Sequence, residues 1–272
     1  MSQQVETKPR DAVLVEDAPT IQMMGFPVVE ALPSAGAPYE LTDPFILVHE
    51  ARFSLAEMEG VDTRHPHRGF DNIWYVLEGS ASTGHTTGPG GATERARLEE
   101  GSLLWLRTGR GAWHAEGIGA DERGEGQGQT KFRSVLFWVN LARKDKDAEP
   151  RATVLHRDQI PVRNEGDALV RILVGDGSPI ELGTPASILD VELAGGGAIT
   201  TQVPPEFQGF VWMLEGEAVF GRDGRRATAG QLVLLGPGDE LTVTDATPGT
   251  RFLLMAGKPY GEVPRFNGPF VD

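Results

Sequence analysis

A chain of 272 residues with no cysteine excludes disulfides, thiolate metal sites and cysteine nucleophiles, and at about 150 residues per domain its length suggests two domains. With 39 acidic against 25 basic residues the formal charge is −14, which argues against broad affinity for nucleic acid or anionic membranes, whose phosphates would be repelled. No apolar run approaches the roughly 20 residues of a membrane helix, and the opening stretch MSQQVETKPRDAVLVEDAPT lacks the apolar centre of a signal peptide, so a cytoplasmic protein with no membrane partner is expected.

Along the chain, glycine and proline punctuate short runs of valine, leucine, tryptophan and phenylalanine at spacings of roughly ten residues, the pattern of an all-β sandwich or barrel. Residues 1–25 read as extended or flexible. Helical periodicity is weak, and residues 54–60 and 156–160 are its clearest candidates. His65-Pro66-His67 comes first among the polar motifs, followed by Phe70, an aromatic strand IWYV and the turn Leu77-Glu78-Gly79. Gly101-Ser-Leu-Leu-Trp-Leu then leads through Gly109 and Gly111, which read as a tight turn, into His114 and Glu116. Residues 117–130 are rich in glycine and charge and read as a solvent-facing loop. Residues 142–150 are charged, close on Pro150 and read as a solvent-facing linker, placing a boundary near residue 148 between domains 1–148 and 149–272. The second half repeats the order of the first: Phe207, a strand FVWM, Leu214-Glu215-Gly216, then Gly230-Gln-Leu-Val-Leu-Leu. This parallel succession predicts two tandem β-barrels.

In a strand, residues i and i+2 face the same side at about 7 Å, so His65 and His67 point together, as do His114 and Glu116. If the two strands face one another across a barrel, three nitrogens and a carboxylate converge. That set suits iron(II), manganese, cobalt, nickel, copper or zinc, and disfavours calcium and magnesium. Four ligands on a six-coordinate metal leave two positions for a bidentate substrate, or for substrate with dioxygen. Each motif alone fits a surface turn more readily than a metal site. Their joint occurrence between turn glycines raises the metal reading to parity, and both readings stay open on the residues alone.

The segments HPHRGFDNIWYVLEG, GSLLWLRTGRGAWHAEG, LFWVNLARKDKDAEPR and GKPYGEVPRFNGPFVD, with DPFILVHEA upstream, closely resemble the pirin family of the cupin superfamily from about residue 25 onward. The resemblance implies two cupin-type barrels, with one divalent transition metal, usually iron as iron(II), held in the first by His65, His67, His114 and Glu116. It implies a metal-dependent dioxygenase of the quercetin 2,3-dioxygenase type, acting with dioxygen on a small aromatic or enolic substrate, with Glu116 also taking the enolic proton. The alternative it implies is a non-catalytic, metal- or redox-responsive partner of transcription factors or metabolic enzymes. Asp71 stands where the family commonly has glutamate, and is read as a support behind the ligands or as a surface residue. Where the family often has His-Arg-Asp, this chain has Ser82-Thr83-Gly84-His85-Thr86, and His85 is read as an exposed loop residue. Arg68 either holds a carboxylate, orients Glu116, or lies exposed. Trp74 and Trp105 are expected in the core and Trp113 on the face opposite His114. Counting from the glycine turns puts Gln202, Pro204, Val243 and Asp245 at the ligand positions of the second barrel, which is expected to lack a metal.

Overall fold

The computed structural model describes residues 7–23, 25–54, 63–87, 93–118 and 131–272, the side chains of residues 53, 54 and 116–118 excepted. A seven-stranded antiparallel sheet runs in the spatial order Arg151–Leu155, Leu103–Arg107, Phe70–Glu78, Lys131–Asn140, Phe45–Ser54, Phe26–Leu32 and Thr20–Met23. It belongs to one barrel with a four-stranded sheet in the order His65–His67, Ala112–Ile118, Ser80–Thr86 and Glu94–Glu99. The second half builds the same pair. Its seven strands run Ala12–Asp17, Gln231–Leu235, Gln208–Glu215, Thr250–Gly257, Ala186–Leu193, Ala168–Val174 and Val162–Glu165, and its four run Gly197–Gln202, Glu240–Ala246, Glu217–Phe220 and Arg225–Thr228. The repeated Leu-Glu-Gly and Gly-x-Leu strands occupy matching places in the two large sheets, so the internal repeat is structural.

Phe70–Glu78 reads as a nearly continuous apolar run because both of its faces are buried. Trp74 and Val76 face into their own barrel, where they pack with Ala81, Leu98, Leu104 and Phe132. Ile73, Tyr75 and Leu77 alternate with them and face the second barrel. There they join Val135, Phe137, Phe210, Trp212, Leu253 and Met255 in a core that the two large sheets share. Buried polar contacts fix the mutual orientation of the sheets. Tyr75 Oη donates to Asp190 Oδ2 at 2.8 Å, and Trp212 Nε1 donates to Glu50 Oε2 at 2.8 Å. Trp105 also lies in this shared core.

Two edge strands cross the expected boundary near residue 148. Arg151–Leu155 pairs with Leu103–Arg107 of the first barrel, and Ala12–Asp17 pairs with Gln231–Leu235 of the second. Each large sheet thus has one of its edge strands supplied by chain from outside its own half. The linker 142–150 is not simply solvated. It contains a 3₁₀ turn at Arg143–Asp145, and the ammonium of the buried Lys146 donates to Gly69 O at 2.9 Å and to Asn140 Oδ1 at 2.8 Å. Burial, with Arg68 nearby, pushes the Lys146 pKa down to about 8.

The helix expected at 156–160 is a single 3₁₀ turn, Arg157–Gln159, and the one expected at 54–60 falls outside the described residues beyond Ser54, which ends a strand. The short helix Tyr39–Thr42 has no counterpart in the sequence reading because four residues are too few to show a period. Of the loop expected at 117–130, Gly117 and Ile118 belong to the strand Ala112–Ile118, and 119–130 lies outside the described residues. Among the described residues no helix is long and apolar enough to cross a membrane.

Candidate metal centre

The strand Ala112–Ile118 pairs with His65–His67 on one side and with Ser80–Thr86 on the other. Register sets His114 directly opposite His65 and, across the other ladder, opposite His85. Directly opposed residues share a face of the sheet, so the pairing itself gathers imidazoles. Gly109 turns the chain before this strand with φ of 45°, and its missing Cβ leaves room for the Ala148 carbonyl.

One ligand nitrogen from each of His65, His67 and His114 lies within 4.8 Å of the others, and among the described residues this is the one such group able to hold a metal. His114 Nε2 stands 3.0 Å from His65 Nε2. His67 and His114 are each only 2% exposed, whereas His65 is half-buried. His65 Nδ1 donates to the Thr63 carbonyl at 2.5 Å and His67 Nδ1 donates to the Pro269 carbonyl at 3.3 Å. A carbonyl only accepts, so both Nδ1 atoms carry the hydrogen, and the neutral form of each ring then keeps its lone pair on Nε2. His67 Nε2 is buried without a partner. A buried lone pair with nothing to accept from costs stability, and a metal ion would remove that cost. Burial first, and then the neighbouring His65, push the His67 pKa down to about 3, and burial holds His114 well below the ordinary imidazole value. Neutral imidazoles are what coordination requires, so the residues fit a divalent transition metal.

Glu116 occupies the same strand two residues beyond His114, opposite Thr83, and its side chain lies outside the described residues. Asp71 is fully buried and lies between the barrels, not behind the histidines. It accepts from Gly183 N at 2.8 Å, Trp105 Nε1 at 3.0 Å and Arg107 Nε at 3.1 Å. Burial raises its pKa, against the opposing pull of Arg107. His85 is not in an exposed loop. It is buried in a strand, with Nε2 3.6 Å from Glu94 Oε2. The alternation of Ala81, Thr83 and His85 was the available signal. Arg68 engages Asp272 and Asp147, the latter at 3.0 Å. Trp74 donates to Ser134 Oγ inside the barrel, and Trp113 is 46% exposed, with Arg64 over its ring.

Sequence reasoning missed the polar wall beside the histidines. Asn72 shares its strand face with Phe70 and Trp74 and is completely buried, yet neither its amide oxygen nor its amide nitrogen has a partner. Trp138, opposite Asn72 in the sheet, also has an unpartnered Nε1, and its ring stacks on Phe70 at 4.1 Å beside His67. His49 Nδ1 and Thr83 Oγ1 are likewise buried without partners.

The second barrel differs at these positions. Counting from Gly230 makes Val243 the counterpart of His114, and its sheet partner is Ile199. Both are packed in the apolar core of that barrel. The ladder between these strands sets Ile199 opposite Val243 and Thr201 opposite Leu241, all four buried, so its inward positions carry no histidine. Gln202 instead reaches Glu240 at the surface, and Asp245 adopts a φ of 50°.

Two tandem barrels, the first with buried histidines converging between its sheets, define a two-domain cupin-fold protein. Residues 25–139 match the pirin family model and residues 188–272 match the pirin C-terminal cupin domain. The chain is 34% identical over 240 residues to Pirin-1 of Arabidopsis thaliana, covering 85% of this chain and 78% of that protein. It belongs to the pirin family. The fold is shared with a quercetin 2,3-dioxygenase from Acinetobacter baumannii, at a TM-score of 0.79 and 22% identity over 96% of this chain and 91% of that one. It is also shared with the bacterial pirin YhhW of Escherichia coli in complex with nickel(II), at a TM-score of 0.66 and 14% identity over 90% of this chain and 99% of that one.

Proposed function

We propose that the first barrel binds one divalent transition metal, iron(II) foremost, through His65, His67, His114 and Glu116, and that the protein is a dioxygenase acting on a flavonol or another enolic substrate. The observation that carries this reading is the unpartnered, buried Nε2 of His67 beside the ligand nitrogens of His65 and His114. The likeness in fold to a quercetin 2,3-dioxygenase supports the substrate class. When bound, the metal would supply Lewis acidity and redox chemistry toward the enolic substrate and dioxygen.

The residues of the chain have separate tasks in this reading. The carbonyls of Thr63 and Pro269 orient His65 and His67. Glu116 accepts the enolic proton on a carboxylate oxygen. Asn72 offers an acceptor and a donor on one buried amide, which suits a ligand carrying an adjacent hydroxyl and carbonyl. Phe70 and Trp138 form a flat apolar wall that limits water beside His67.

Oxygen uptake by the iron(II)-loaded protein against a panel of flavonols and enediols tests the reading. Turnover is expected with at least one flavonol, and Glu116→Gln is expected to keep much of the metal while losing most of that turnover. Loss of metal together with turnover would reduce Glu116 to a ligand. No uptake with any member of the panel by the metal-loaded wild type would favour a metal-responsive binding protein.

A further inference from the structure

The ring of His67 is oriented by a residue far away in sequence. Strands Phe266–Asn267 and Phe270–Val271 form a small hairpin after the second barrel, closed by Arg265 N to Asp272 O at 2.8 Å and Asp272 N to Arg265 O at 2.9 Å. This hairpin is seated on the first barrel. Val271 N donates to Arg68 O at 2.9 Å, and Phe270 bridges Arg68 in parallel. The Val271 side chain is fully buried with Ile46 and Phe70, and Trp138 packs on that cluster. Arg68 grips Asp272. Gly69, at φ of 90°, lies so close to the Val271 carbonyl that any side chain there would collide with it.

We propose that residues 266–272 are a strap that positions His67 as a ligand. The first barrel's metal centre is then incomplete without chain from beyond the second barrel. The proposal rests on the reading of His67 as a metal ligand. Its chemical content is the tautomer. The Pro269 carbonyl holds the hydrogen on Nδ1, leaving Nε2 free to coordinate, whereas the opposite tautomer would place a hydrogen on the ligand atom. Phe70 and Trp138 pack against the same ring at centroid distances of 5.1 and 4.9 Å, so the strap and the aromatic pair together fix its plane.

Val271→Asp puts a charge into the apolar seat and should unseat the strap, whereas Val271→Ile should leave it seated. In the metal-free full chain, long-range proton–nitrogen spectra are expected to show the His67 hydrogen on Nδ1 in the wild type and in Val271→Ile. Val271→Asp should lose that signature and bind nickel(II) about 10–100-fold more weakly. A folded Val271→Asp with the wild-type tautomer and nickel(II) affinity would overturn the strap. If Val271→Asp does not fold, Val271→Ala, which empties the seat without burying a charge, decides by the same two measurements, with an unchanged tautomer and affinity refuting the proposal. Should the wild type bind no nickel(II) while its tautomer still responds to Val271→Asp, the metal reading falls and the positioning role stands.

Discussion

The two barrels share one strand order and differ in what their small sheets carry inward. In the first, His65 opposes His114; in the second, the ladder between the corresponding strands pairs Ile199 with Val243, both packed in its core. The ends near Phe70 and Phe207 differ as well. In the first, Phe70 backs the histidines. In the second, the buried guanidinium of Arg10 donates to the carbonyls of Pro204, Phe207 and Gly236. The frame depends on turn glycines and apolar strands that both halves keep, so a handful of inward positions decides whether a barrel is a site or a support. Polar interiors cost stability, and the apolar core of the second barrel together with the shared core offsets part of that cost.

The two barrels should differ most sharply in metal content. Wild-type protein should hold one tightly bound transition metal per chain by elemental analysis, and His67→Ala or His114→Ala should hold almost none while remaining folded. Two metals per chain would show that the second barrel is also a site. Ile199→Ala should do the converse, costing about 2–5 kcal/mol in urea unfolding through the cavity it leaves while metal content stays unchanged.

A pH effect should separate the barrels next. The depressed His67 and His114 take up fewer protons in the folded state than in the unfolded chain. Their contribution is therefore complete above about 6.5 and is lost as pH falls below it, that of His67 through about 3. His67→Phe should flatten the metal-free protein's loss of Tm over that window, and identical slopes for variant and wild type would contradict it. Smallest is Asn72→Leu, which removes a buried amide lacking partners and should stabilise the metal-free protein by about 1 kcal/mol while weakening flavonol binding. A lower Tm with unchanged binding would mean that the amide serves the fold.

The sequence made the duplicated barrels legible because glycine turns and apolar strands recur in the same order, and it made the clustered histidines legible because i, i+2 spacing survives any loop length. It did not show His85 and Asn72 inside, since a polar residue in a strand reads as outward unless its neighbours are known to be buried on both faces. Asp71 was misplaced for a related reason. Its partner Gly183 lies on the other barrel, and no local pattern reports a contact across that distance. The strap was hidden too, because Pro269 and His67 meet only after both barrels have packed.

The exchanged edge strands carry a consequence for biogenesis. Ala12–Asp17 leaves the ribosome early, yet its ladder partner Gln231–Leu235 is among the last strands made. The first sheet likewise waits for Arg151–Leu155 before its outer edge is covered. For most of translation the nascent chain therefore carries one unpaired strand, and between the making of residues 107 and 155 one uncovered edge as well, each able to find the wrong neighbour. Contacts of such long sequence separation form slowly. Cutting the gene between the barrels should yield two fragments that each lack an edge strand and become soluble chiefly when they are produced together.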